Sequence, residues 1–242
     1  MKKNNYNYIW ISFIILVFGI IFIPKIIDRI NSGQVVENDR MNKKDNKGNL
    51  AYVEIDGNKK RVPDFTFINQ DSLVVSNRDY LGKVYIVEFF FTSCPSICPI
   101  MTKNLVQIQN DFKGLENFGI ASFSIDPEHD TPTKLKTYSE ANGITNLDWH
   151  LMTGDRDEIY ELANKGFNIF AQENSSVPGG FEHSGLFALV DKRGFIRSRV
   201  DEFGNPIIYY RGTISEEEGA NDEGEKEQIG ILKEDIKKLL NE

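Results

Sequence analysis

The chain holds only two cysteines in 242 residues, Cys94 and Cys98, and only three histidines. Two thiols this close cannot supply the bridge framework of a small secreted domain, which needs four or more cysteines spread along the chain. Positive charge is also short: 28 Lys and Arg face 36 Asp and Glu, for a formal net charge of -8. No basic cluster offsets that balance in the body of the chain. Nucleic acid is thereby excluded as the main partner, because phosphate binding needs a basic face. An Arg-rich, acid-poor transit segment is missing, which favours a bacterial envelope over an organelle. There is no internal repeat.

What is present suits a globular protein, with 40% hydrophobic and 26% charged residues. The length allows one ordinary domain plus extras. After Met1-Lys2-Lys3, residues 9–23 are apolar apart from Ser12 and Gly19. That run is short of the ~20 residues a membrane span needs. Tyr6 and Tyr8 in front, with residues 24–27 behind, extend it toward that length if Lys25 snorkels to the interface. A cleaved signal peptide would need small residues after its core, where Phe22, Ile23, Pro24 and Lys25 stand. Residues 1–30 are therefore expected to form one uncleaved N-terminal transmembrane helix in a bacterial cell membrane. The soluble domain is expected on the extracytoplasmic side. Residues 31–62 read as a polar tether, with 51–55 able to form a short strand, and 63–242 as the folded domain.

Within that domain strands and helices alternate. Residues 65–68 and 73–75 suggest a hairpin. Residues 84–91 are continuously apolar except for Glu88, as in a central strand covered on both faces. A helix is predicted over 99–115 and a strand over 118–125. Thr131-Pro132 gives a helix start, with Asn142-Gly143 as its stop. Asp155 and Glu158 resemble a capping box opening a helix to Lys165. A strand pair over 186–190 and 195–200 and an amphipathic helix over 226–240 complete the order. This is an α/β class with a central mixed sheet flanked by helices. The cysteine pair, just after a buried strand and at a helix start, makes it a thioredoxin-like sandwich.

The pair reads Cys94-Pro95-Ser96-Ile97-Cys98-Pro99. A helix N-terminus lowers a thiol's pKa and favours the thiolate, which is both nucleophile and metal ligand. The three intervening residues can close a disulfide, and they also let two thiolates converge on one ion. Two thiolates suit Cu(I), and an added imidazole also suits Cu(II) and zinc. His183 is the candidate third ligand, because the loop entering the strand at 186 faces the cysteines in a thioredoxin-like fold. A structural disulfide would close a loop of five residues only, worth roughly 2 kcal/mol, a small return for a domain with a full core.

Cys-Pro-x-x-Cys-Pro after an aromatic strand, Asp126-Pro127-Glu128-His129-Asp130-Thr131-Pro132 after the next, and His183-Ser184 before Leu-Val-Asp resemble the SCO/SenC family. The resemblance runs from about Pro63 to Val200 plus the last helix. It implies a membrane-tethered copper-binding protein, a metallochaperone for the copper centre of cytochrome c oxidase. By position, the family's ligands fall on Cys94, Cys98 and His183, and its partner is the copper-receiving subunit of the oxidase. Glu182 stands where the family usually has Asp.

A thiol–disulfide oxidoreductase or redox sensor acting on oxidase cysteines is the alternative, with Cys94 and Cys98 as its redox-active pair. His129 and His150 read as incidental, Asp126 and Asp130 as turn and helix-entry residues. Met101 and Met152 read as core. The acidic stretch 215–227 reads as an exposed loop.

Overall fold

The computed structural model describes residues 7–31, 50–200 and 206–242. The chain divides into an N-terminal unit, residues 1–40, and a body, residues 41–242. The N-terminal unit contains α1 (Asn7–Asn31), where an apolar run carries Pro24. Trp10, Phe13, Ile14, Leu16 and Phe18 on this helix are all exposed. Among the described residues, no helix is long and apolar enough to cross a membrane. Lys25, Asp28 and Arg29 follow closely on the apolar run of α1.

The body opens with β1 (Ala51–Tyr52), then a small hairpin of β2 (Glu54–Ile55) and β3 (Asn58–Lys59). A second hairpin, β4 (Thr66–Asn69) and β5 (Val74–Ser76), leads to β6 (Val84–Phe90) and α2 (Cys98–Asp111). Next come β7 (Phe118–Ser124), α3 (Pro132–Ala141), β8 (Trp149–Thr153) and α4 (Arg156–Glu161). A π-helical turn, Leu162–Phe167, precedes the hairpin of β9 (Ala171–Glu173) and β10 (Phe181–His183). The chain then forms β11 (Leu186–Val190), β12 (Ile196–Val200), β13 (Pro206–Ile207), β14 (Tyr210–Arg211) and α5 (Ile229–Asn241).

The main sheet runs β1-β12-β11-β6-β7-β8-β4-β5. β6 pairs β7 and β7 pairs β8 in parallel, while β11 and β4 join antiparallel on either side. This is the mixed sheet between helices expected from the alternation. Every residue of β6 and β7 is buried, which is what an apolar run without alternation requires. Because the β6–β7 crossover is parallel, the loops after both strands emerge at the same end of the sheet. That end holds the cysteines.

Several boundaries move for identifiable reasons. α2 stops at Asp111 rather than 115, because Gly114 at φ +85° takes the chain out of the helix. The helix capped by Asp155 widens into the π-helical turn at Leu162, and the last helix begins at Ile229 rather than 226. Packing of the body reaches upstream of residue 63, as far as Leu50. The buried Arg197 guanidinium donates to Leu50 O (2.6 Å) and packs 4.2 Å from the centre of the Tyr52 ring. β1 pairs with β12, and Leu50 and Val53 are buried. Residues 32–49 of the expected tether lie outside the described residues.

Glu88 is the one charged side chain in β6, and its partner comes from the strand register. Ser122 stands opposite it on β7 and donates to Glu88 Oε1 (2.6 Å), while Trp149 Nε1 donates to Ser122 Oγ (2.9 Å). Glu88 Oε2 has no partner among the described residues. Burial pushes the carboxyl up from its ordinary 4.5 to about 7, against the Ser122 bond. A carboxyl raised in the folded state stabilises the fold below pH 4.5, and this contribution is lost as pH rises through about 7. The difference amounts to roughly 3 kcal/mol. Glu88→Gln should flatten that slope, which denaturant unfolding of parent and variant at pH 4.5 and pH 8 would measure. Parallel slopes would refute the role given to Glu88.

Candidate metal centre

Cys94 follows a tight turn at the end of β6, where its N–H donates to Phe91 O (3.3 Å). Cys98 opens α2, with Pro99 in the first turn. The N–H of Cys98 points at Cys94 Sγ (3.5 Å), and Ser96 Oγ lies 3.6 Å from the same sulfur. The first sulfur therefore sits over a helix start, where free amides and the helix dipole favour negative charge. From Phe89 to Thr102 no residue is charged, so ion pairing within this segment plays no part in that stabilisation.

Both thiols are free and buried, Cys94 8% exposed and Cys98 1%. The hydrogen bond from Cys98 holds the Cys94 thiol down to about 3, with help from His183 and the amides of Cys98 and Ser96, against burial. The same bond, then burial, drives Cys98 the other way. The thiolate is thus favoured on Cys94, the less buried sulfur, and the thiol on Cys98.

His183 reaches this pair from across the site, with Nε2 3.3 Å from Cys98 Sγ. Sequence reasoning put His183 in a loop; it stands at the end of β10, opposite Ala171 of β9. The hairpin rests on the cysteine loop: the Phe181 ring lies 5.1 Å from Phe91, and the His183 ring 6.0 Å. Gly179 adopts φ +89°, and a Cβ there would come within 3.0 Å of Phe91 and Pro95. Glycine meets both demands.

Cys94, Cys98 and His183 bring one donor atom each to within 4.8 Å of one another. With metal bonds of about 2.0–2.3 Å to nitrogen and sulfur, ligands of one ion stand up to about 4.6 Å apart. An ion fits with small adjustments. Two sulfurs and an imidazole form a soft, borderline donor set that suits copper in either oxidation state.

The residues read as bystanders have partners of their own. His129 is exposed and bonded to Asp126 (2.7 Å), and His150 is half-buried against Asn69 (3.1 Å). Met101 and Met152 are core. Glu182 points to Gln172 and Asn174 (3.1 Å each) and braces the hairpin. Asp130 does more than enter a helix. Fully buried, it accepts from Thr92 N (2.9 Å), Thr92 Oγ1 (2.5 Å) and Ser124 Oγ (2.6 Å), and pairs with Lys134 (3.1 Å). It fixes the cysteine loop to the end of β7. Thr131-Pro132 signals a capped helix in sequence, but nothing there signals the bond that Asp130 accepts from Thr92.

Limiting iodoacetamide on the reduced, metal-free protein should modify Cys94 and spare Cys98, at a rate nearly flat from pH 5 to pH 8. Peptide mapping by mass spectrometry reads both. Equal labelling, or a rate rising about tenfold per pH unit, would contradict the thiolate assignment.

The model of the SCO1/SenC family matches residues 53–214. The SCO1 protein homolog of Bacillus subtilis is 37% identical over 139 residues, which is 55% of this chain and 69% of that one. A solved SCO1/SenC family lipoprotein from Bacillus anthracis is 25% identical with a TM-score of 0.61, covering 74% of this chain and 95% of the other. BsSco, described as a disulfide-switch member of the Sco family of cytochrome c oxidase assembly proteins, is 28% identical with a TM-score of 0.59. That alignment covers 75% of this chain and 94% of BsSco. Matched from beside the first strand of the body to the residue before the acidic stretch, and sharing its fold with two solved members, this chain belongs to the SCO1/SenC family.

Proposed function

We propose that the body binds copper through Cys94 Sγ, Cys98 Sγ and His183 Nε2 and passes it to the copper-receiving subunit of a cytochrome c oxidase. The observation that carries this reading is the convergence of the two sulfurs and one imidazole nitrogen within 4.8 Å. When bound, copper would add a soft cation that both sulfurs can meet as thiolates. The protein's own part is to hold those donors ready. Cys94 favours the thiolate over the helix start, Cys98 gives up its proton on metal binding, and His183 presents Nε2 to the pair. Cys94, the less buried sulfur, is the one an incoming ligand reaches first.

A second reading is favoured by the unequal thiols. The Cys94 thiolate could attack a partner disulfide and form a mixed disulfide. Cys98 would then lose its proton, attack Cys94 Sγ and release the partner as a dithiol, leaving Cys94–Cys98 oxidised. The relative described with a disulfide switch supports keeping this chemistry beside the first. Copper uptake needs the dithiol form, so the two readings share one reduced state.

Residues 1–30 are proposed as the membrane anchor, with residues 63–242 of the body acting on the extracytoplasmic side of a bacterial cell membrane. The exposed apolar side chains of α1 support attachment, as does the relative described as a lipoprotein.

Copper titration of the reduced protein tests the site. One equivalent should bind, His183→Ala should lose more than about tenfold in Cu(II) affinity, and Cys94→Ser or Cys98→Ser should lose both oxidation states. Cu(II) binding by His183→Ala as tight as the parent's would remove histidine from the site. Exchange activity that survives His183→Ala without copper uptake would favour the redox reading. For the anchor, the full chain should stay with membranes through a high-salt wash and leave them only in detergent. Release by salt alone would refute it.

A further inference from the structure

The thiols and the imidazole belong to different parts of the fold. Cys94 and Cys98 lie on the crossover that leaves β6 in the main sheet. His183 ends β10, which pairs with β9 in a two-stranded sheet of its own. Whatever fixes that hairpin fixes the imidazole.

Packing on Phe91 is one hold. A second is polar and comes from the π-helical turn Leu162–Phe167. Asn164 Nδ2 donates to Ala171 O (2.8 Å), and Asn164 Oδ1 accepts from Ala171 N (3.2 Å). One side-chain amide thus satisfies both backbone groups of a residue, as a neighbouring strand would. Ala171 is the residue directly opposite His183. Asn164 Nδ2 also donates to Tyr160 O (3.1 Å), and Tyr160 OH donates to Ile125 O (2.9 Å), just past the end of β7. A continuous line of contacts therefore joins the main sheet to the histidine. A turn of π-helix, which often marks functional positions, is what carries Asn164 to this place.

The geometry points to Asn164 as the positioning residue for His183, acting through Ala171 and thereby favouring Cu(II) over Cu(I) at the site. This rests on the copper-binding reading above. The two thiolates are soft ligands that hold Cu(I) by themselves, whereas the imidazole adds the donor that suits Cu(II). Loosening the hairpin leaves the thiolates in place and withdraws the imidazole. Each bond from Asn164 is worth roughly a factor of two to ten.

Asn164→Ala removes both bonds to Ala171, and Asn164→Asp keeps the acceptor while losing the donor. In the full-length protein, Asn164→Ala should weaken Cu(II) binding about tenfold and leave Cu(I) within about twofold. The Cu(II)/Cu(I) potential should rise by about 59 mV, the one-electron equivalent of tenfold. Asn164→Asp should fall between parent and Asn164→Ala. In the metal-free protein, amide hydrogen exchange at Ala171 and at Ser184, whose N–H donates to Phe170 O across the hairpin (3.1 Å), should quicken while that of β6 and α2 stays unchanged. Unaltered Cu(II) affinity in Asn164→Ala overturns the proposal. So does an equal loss of both oxidation states in both variants, which is what general damage would give. A parent chain that takes up no copper sinks the copper reading and the Cu(II) preference with it. The exchange experiment then judges the positioning alone, and unchanged exchange at Ala171 and Ser184 refutes it.

Discussion

The carboxylate of Asp130 is the point on which the cysteine loop depends. It is fully buried yet takes hydrogen bonds from Thr92 N, Thr92 Oγ1 and Ser124 Oγ and an ion pair from Lys134. A buried charge with that many donors is compensated, and removing any one of them would leave it costly. Through Thr92 it sets where β6 gives way to the turn at Cys94. Through Ser124 it ties that turn to β7, and through Lys134 to α3. The start of α2, and hence the amides beneath Cys94 Sγ, follows from this junction.

Around the junction the chain keeps its charges away. Beside the two thiols, the segment from Phe89 to Thr102 offers only aromatic, hydroxyl, aliphatic and thioether groups. The negative charge of a thiolate on Cys94 is met by the Cys98 side chain first, then by His183 and by the amides of the helix start. The histidine stands on different support, a short hairpin laid across Phe91 and Pro95. The two sulfurs and the imidazole are thus divided between the crossover of the main sheet and a separate two-stranded sheet.

Much of this was legible in the sequence, and what escaped it has a common cause. Residues 84–91 announced a buried strand by their unbroken apolarity, and the Cys94–Cys98 spacing after that strand announced the thiol site. His183 could be placed by its position just before the next strand, although its own strand β10 could not, because three residues paired only with β9 carry little periodicity. Glu88 was visible as an interruption, but its Ser122 partner depends on parallel register between strands far apart in the chain. Asp130 reads locally as a helix entry, and its bond to Thr92 spans 38 residues. Asn164 looks like any exposed helix residue until the turn widens. Arg197 alternates in a strand as a surface cation would, and only Asp191, Glu242 and the Leu50 carbonyl explain its burial. Local pattern found the elements and the chemistry. Contacts set by tertiary register were beyond it.

The Arg197 cluster has a mechanical meaning. Val190 pairs with Tyr85 near the start of β6, so Asp191, and with it Arg197, lies at the opposite end of that strand from Cys94. Tension entering the body at Leu50 meets the guanidinium and the β1–β12 edge first. It is borne by the outermost strands of the sheet, with β11 and β6 standing between that edge and the crossover. Strain applied at Leu50 therefore falls on the β1 edge of the sheet, separated along the strand order by β12 and β11 from β6, whose far end carries the sulfurs.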